Sequence, residues 1–235
     1  MFTKNQDKNM KLTIDQLTGK SRTHLVSLPC PHSPNHFLQP QAMKAFQGLQ
    51  QSAVQNGFNL QPASSFRDFQ RQQLIWNAKF NGARKVHDDQ GNPIDLNQLS
   101  DWQKAQTILR WSAMPGASRH HWGTEIDFFD PDLLAVNQSL QLEPWEYQQG
   151  GYFYELSQFL QEKLSHFDFA LPFMQCNQYF NIGREPWHIS YLPLAGIAQQ
   201  QFCPEILLAS WQNEEIAGKI TLIRNINEIF MRFLN

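Results

Sequence analysis

SRHHWGTEID, residues 118–127, is the stretch whose reading decides the rest of the chain, taken together with EPWH at 185–188. Between them they hold the imidazoles and carboxylates that a divalent metal and its activated water require. Zinc accepts nitrogen and oxygen ligands, and a catalytic site leaves one of its four positions to water. His120 and Asp127, completed from a distance by His188, supply three ligands. Glu185 is then the base that takes the water's proton.

Local periodicity supports this assignment. Residues 124–129 have the β-branched and aromatic bias of a strand, following a loop that carries His120 and ends at Gly123. Strand side chains alternate, so Glu125 and Asp127 share one face while Ile126 and Phe128 share the other. In EPWHISYL (185–192) the same alternation puts His188 and Ser190 on one face, with Trp187 and Ile189 opposite. Glu185 would fall on the wrong face of an ideal strand, and Pro186 breaks that pleat. His121 sits beside a ligand without being assigned as one.

A third block, SSFRDFQRQ (64–72), joins the first two in order. S-x-H-x-x-G-x-x-x-D followed by E-P-W-H resembles the VanY-type D-alanyl-D-alanine carboxypeptidases, within the zinc LAS metallopeptidases. The 64–72 block is similar to that family's S-G-Y-R-S-x-x-x-Q. The resemblance spans about residues 41–193 and implies one zinc per chain on His120, Asp127 and His188, with Glu185 as the base. It further implies that Arg67 stabilises the oxyanion and that Ser118 contacts the substrate's terminal carboxylate. Gln72, on the helix after Arg67, and Glu125 complete the expected substrate-binding set. Three positions depart from the pattern: Ser65 stands for Gly, Asp68 for Ser and Glu125 for Ala. The last of these alters the cleft. The Glu125 carboxylate is expected to reach that cleft and meet a cation, either a substrate amine or an arginine such as Arg67 or Arg119.

Composition excludes several classes. The 235 residues are 41% hydrophobic and 13% aromatic, which describes a globular chain. Lys and Arg number 19 against 21 Asp and Glu, a net charge of −2, so no electrostatic case for nucleic acid arises. Cys30, Cys176 and Cys203 have no C-x-x-C spacing and read as ordinary thiols. No apolar run is long enough to span a membrane. Residues 1–20 show no apolar core of a signal peptide. The sequence therefore points to the cytoplasm, with the periplasm or export by an unannounced route as the alternative for a wall-directed enzyme.

Residues 1–40 read as an extended arm, because Pro29, Pro31 and Pro34 forbid a regular helix. His24, His32 and His36 within it are expected at the surface. A catalytic domain follows over 41–195. It begins with a helix from Gln41 to a stop near Gly57, its stripe Met43, Phe46, Leu49, Gln50 and Val54. A strand around Phe58 and Leu60 comes next, interrupted by Pro62. Asp68 caps a helix to about Asn81, with Phe69, Leu74, Ile75 and Trp76 inward. Residues 82–98 form a polar flap near the cleft, and Ser100 with Gln103 makes a capping box for a helix to about Ser112. Gly150-Gly151 opens another to about His166. An aromatic segment, 167–183, with Phe167, Phe169, Phe173, Tyr179 and Phe180, forms the far wall. Residues 196–235 form a helical extension packed on the same domain, with helices near 204–217 and 220–234.

The expected fold is α+β: a small antiparallel sheet carrying a zinc site, with helices packed on it. The expected activity is zinc-dependent D,D-carboxypeptidase hydrolysis of the C-terminal D-Ala of peptidoglycan-type peptides. The rivals are an endopeptidase or L,D-carboxypeptidase on the same site, and a non-catalytic wall-binding module with a structural metal.

Overall fold

The computed structural model describes residues 11–30, 35–174 and 181–234. Pro31, His32, Pro34, Cys176, Tyr179 and Phe180 lie outside them. The site is carried by a four-stranded antiparallel sheet of order β3-β4-β6-β5: β3 Gln61–Ser64, β4 Glu125–Phe129, β5 Phe169–Ala170 and β6 His188–Tyr191. A separate two-stranded ladder, β1 Val26–Ser27 with β2 Phe37–Leu38, belongs to the N-terminal arm. Mixed helices and small antiparallel sheets make this an α+β fold.

The alternation read from β4 holds. Ile126 and Phe128 point into an apolar core with Ile189, while Glu125 and Asp127 point the other way. That core joins the sheet to α2 (Pro40–Gln55) through Phe46 and Leu49, and to α5 (Tyr154–Lys163) through Leu156 and Leu160. Each such side chain, removed from water, contributes about 1.5–3 kcal/mol. A second core joins α3 (Phe69–Phe80) and α4 (Asp101–Leu109) to the C-terminal helices, with Trp76, Ile108, Trp211 and Phe233 among its members. The polar site lies where these two halves meet.

Local signals place the helix starts. The Asp68 side chain accepts from the Arg71 N–H, and Ser100 and Gln103 form a reciprocal capping box. Elsewhere the structure corrects the expectations. Val54 and Leu74 are exposed at 68% and 64%, because Ala53 and the polar Gln72 and Lys79 take the inward positions. The third strand begins at Gln61, after Leu60, and Pro62 lies within it. That is tolerated because β3 is an edge strand with a bulge between Pro62 and Ser64.

The arm is not simply extended, since α1 (Ile14–Leu17) carries its own capping box, and Leu17 packs against Trp122 and Ala198. His36 is buried, with Nδ1 3.0 Å from Ser65 Oγ, and His24 is half-buried. The C-terminal segment is broken into α6 (Leu192–Gln201), α7 (Pro204–Ser210), α8 (Lys219–Arg224) and α9 (Ile226–Ile229), followed by a wider turn. Among the described residues, no helix is long and apolar enough to cross a membrane.

Gly123 links the ligand turn to β4 at φ +69°, the left-handed region, where a Cβ would also run into the Leu25 side chain. Gly123→Ala should therefore cost about 1–3 kcal/mol of stability, read as a lowered melting temperature of the metal-free protein. An unchanged melting temperature would mean that this turn relaxes freely.

Candidate metal centre

His120 lies in a single 3₁₀ turn, Arg119–Trp122, between Ser118 and the left-handed Gly123. The turn is fixed from both sides: Arg67 N–H donates to the His120 carbonyl, and Gln39 N–H to that of Gly123. His121 completes the clamp and is no ligand. Gly116 N–H donates to its Nε2, so its Nδ1 carries the proton and donates to the Arg67 carbonyl. Burial pushes His121 down to about 3, which keeps it neutral.

Antiparallel register does the rest. Asp127 lies directly opposite His188 across β4 and β6, and opposite Ser64 across β3 and β4. The Asp127 carboxylate stands between two imidazoles, Oδ1 2.9 Å from His188 Nδ1 and Oδ2 3.3 Å from His120 Nε2. The two rings meet edge to face, 4.9 Å between centroids. Ligand-capable atoms of these three buried residues all lie within 4.8 Å of one another. His120 Nδ1 is 2.7 Å from the Ser65 carbonyl, which makes it the protonated nitrogen and turns Nε2 toward Asp127.

The charges follow from this packing. Burial opposes ionisation of Asp127, yet the two imidazoles outweigh it and hold the carboxyl well below its usual range. Burial lowers His120. His188 is desolvated too, but its hydrogen bonds to Asp127 and Glu125 prevail and push it up to about 10. A proton on Nδ1 then occupies the direction in which a metal would bind, and the two compete for the same lone pair.

Glu185 sits in the turn before β6, its N–H on the Phe173 carbonyl and its own carbonyl accepting from His188 N–H. Its Oε2 is 3.8 Å from His188 Nδ1. Burial pushes its carboxyl up to about 7. Arg67 follows the bulged edge strand, its Nη2 3.9 Å from Asp127 Oδ2 and 3.3 Å from Ser64 Oγ. His120, Asp127, His188, Glu185, Arg67 and Ser118 all line one cleft of about 1530 Å³. The 82–98 loop contributes Arg84 to His87 to its wall, as expected of a flap.

Two expected substrate contacts do not stand in that cleft. Gln72 is fully buried beneath Arg67: its Oε1 accepts from Arg67 Nη1 at 3.0 Å and its amide donates to the Ala113 carbonyl. It holds Arg67 in place. Glu125 is also fully buried, because its carboxylate is drawn to His188 Nε2, Arg119, Ser190 and Thr124. The Arg119 alternative is the one the geometry favours.

Lys79 lines the cleft unforeseen, its ammonium 2.7 Å from Ser112 Oγ and pushed down to about 8 by burial. The available signal was a charged residue two turns after Gln72, on the same inward stripe as Trp76.

With this geometry in hand, the comparisons are specific. The family model described as VanY, D-alanyl-D-alanine carboxypeptidase, matches residues 35–194. Two uncharacterized proteins of Haemophilus influenzae (strain ATCC 51907 / DSM 11121 / KW20 / Rd) are close in sequence. One is 75% identical over 105 residues, 45% of this chain and 72% of its own length. The other is 64% identical over 118 residues, 50% of this chain and 90% of its own length.

Among solved structures, VanYB in complex with D-Alanine-D-Alanine has a TM-score of 0.52 at 18% identity, covering 83% of this chain and 92% of that one. A mutant of the D,D-pentapeptidase VanY in complex with Zn(II) scores 0.51 at 22% identity, covering 80% and 90%. The LdcB LD-carboxypeptidase scores 0.51 at 14% identity, covering 85% and 77%. At these identities the likeness to solved structures is one of fold.

Proposed function

Because the chain belongs to the VanY family of D-alanyl-D-alanine carboxypeptidases, we propose that it is a zinc-dependent D,D-carboxypeptidase, removing the C-terminal D-Ala of peptidoglycan-type peptides. The observation that carries this reading is the convergence of His120 Nε2, Asp127 and His188 Nδ1 in one cleft with Glu185 and Arg67. Zinc bonds of about 2.0–2.2 Å place tetrahedral ligand atoms about 3.3–3.5 Å apart. The 3.3 Å between His120 Nε2 and Asp127 Oδ2 matches that edge, while His188 Nδ1, 2.9 Å from the other oxygen in a set that spans up to 4.8 Å, would shift as the metal enters. Two nitrogens and one carboxylate, one position short of four, are the donor set of a catalytic site.

Zinc bound there supplies Lewis-acid activation of a water and of the scissile carbonyl. The remaining work belongs to the chain. Glu185, with its carboxyl raised by burial to about 7, accepts a proton near neutral pH and returns it to the leaving amine. Arg67, held by Gln72 and Ser64, aims fixed donors at the oxygen that gains charge. Ser118 offers a hydroxyl to the terminal carboxylate, and Lys79 and Arg84 make the same cleft attractive to an anion.

The test uses zinc-loaded protein and defined muropeptides, read by mass spectrometry. Loss of a single D-Ala from a peptide ending in D-Ala-D-Ala is expected; a cut crosslink would mean an endopeptidase, and loss of D-Ala only from a peptide in which it follows an L-configured centre would mean an L,D-carboxypeptidase. Converting the substrate's C-terminal carboxylate to an amide should lower kcat/KM by about 10–100-fold, since a hydrogen bond to a charged group contributes about 1.5–3 kcal/mol. Equal rates on acid and amide would refute an exopeptidase that reads the chain end.

A further inference from the structure

His188 lies between two carboxylates, and only one of them faces the cleft. In the β4–β6 register, Asp127 is directly opposite His188, while Glu125 is opposite Ser190 and so diagonal to the ring. Diagonal cross-strand neighbours remain within reach of long side chains. His188 Nδ1 is 2.9 Å from Asp127 Oδ1, on the side of the ligand cluster. His188 Nε2 is 2.7 Å from Glu125 Oε2, on the side sealed from solvent. The other Glu125 oxygen accepts from Ser190 Oγ at 2.8 Å, Thr124 Oγ1 at 3.0 Å and Arg119 Nη2 at 3.3 Å. Arg119 is fixed in turn by Gln199 of α6, 3.0 Å away, and lies over the Trp122 ring.

We propose that Glu125 is a positioning residue for the metal ligand His188: by accepting the Nε2 proton it leaves Nδ1 as the ligand atom, locks the ring plane and makes the imidazole a stronger donor. The inference rests on the zinc reading given above. An imidazole offers one lone pair when neutral, and the partner of the other nitrogen decides which. For His120 that partner is a backbone carbonyl, from Ser65. For His188 it is a full carboxylate, whose charge is balanced from behind by Arg119. Such outer partners typically control metal affinity by 10–100-fold. Alanine, the residue expected at this position from the family pattern, could supply neither the acceptor nor the charge.

The test is zinc affinity, measured by chelator competition on the purified full chain, with circular dichroism showing that each variant is folded at the assay temperature. Glu125→Ala should weaken zinc binding about 10–100-fold. Glu125→Gln keeps an acceptor oxygen but not the charge, and should fall between it and the parent. If Glu125→Ala does not fold, the glutamine variant alone decides the matter. A general structural role would lower the melting temperature of the metal-free protein while leaving the affinity of the folded molecules unmoved. Affinities of both variants within about threefold of the parent would therefore overturn the inference while the zinc reading stands. A parent protein that takes up no zinc would overturn both.

Discussion

Glu185→Gln is expected to lower the turnover of a D-Ala-terminated peptide by roughly 10²–10⁴-fold, the contribution usual for a positioned proton acceptor. The substitution keeps the side chain's size and shape. The Glu185 backbone N–H to Phe173 and its carbonyl to His188 involve no side-chain atom and persist. Its carboxylate stands 3.8 Å from His188 Nδ1 and is not one of the three converging ligands, so zinc content should stay near one per chain. Burial already favours the uncharged form of this group, so a neutral amide in its place should leave the fold intact. Metal analysis and kcat from one preparation check the two halves of this expectation together. Turnover within a few-fold of the parent would mean that another group takes the proton, and low zinc would mean that Glu185 acts on the metal.

How far the site could be read from the sequence depended on how local each signal was. Strand alternation is a property of the chain alone, so Asp127 and Glu125 could be placed on one face and Ile126 and Phe128 on the other without knowing the neighbours. Asp68 and Ser100 cap helices by bonds reaching three residues ahead, and these too were legible. Glu125's true partner was not, because its contact with His188 exists only through the pairing of β4 with β6. The same holds for Gln72. Its place in a helix could be read, but whether it faced the cleft or supported Arg67 depended on the approach of the 113 carbonyl from another segment.

Two-residue strands such as β5 offer no period to detect. Pro193 sits in the first turn of α6, where its missing N–H has no helical partner to lose. The helix expected over 220–234 is helical along its length apart from Asn225, whereas the one expected over 204–217 ends at Ser210.

The metal ligands should not be equivalent when removed, although loss of any one is expected to strip most of the zinc. His120→Ala takes away a ring that burial keeps near neutral and whose outer nitrogen meets only a backbone carbonyl. Asp127 keeps His188 at 2.9 Å, so the metal-free fold should lose what a truncated buried side chain and one hydrogen bond to Asp127 cost. His188→Ala differs in kind. That ring bridges Asp127 and Glu125, both of them buried, and its removal takes a hydrogen-bonded partner from two carboxylates at once. Arg119 still faces Glu125 at 3.3 Å, but the cation nearest Asp127 is then Arg67, at 3.9 Å. Removing one partner of a buried ion pair typically costs about 3–5 kcal/mol. Activity should fall below detection in both variants, while thermal melts of the metal-free proteins should separate them, with His188→Ala far the less stable. Equal melting temperatures would show that His188 carries no charge in the metal-free protein, and full zinc occupancy in either variant would remove that residue from the ligand set.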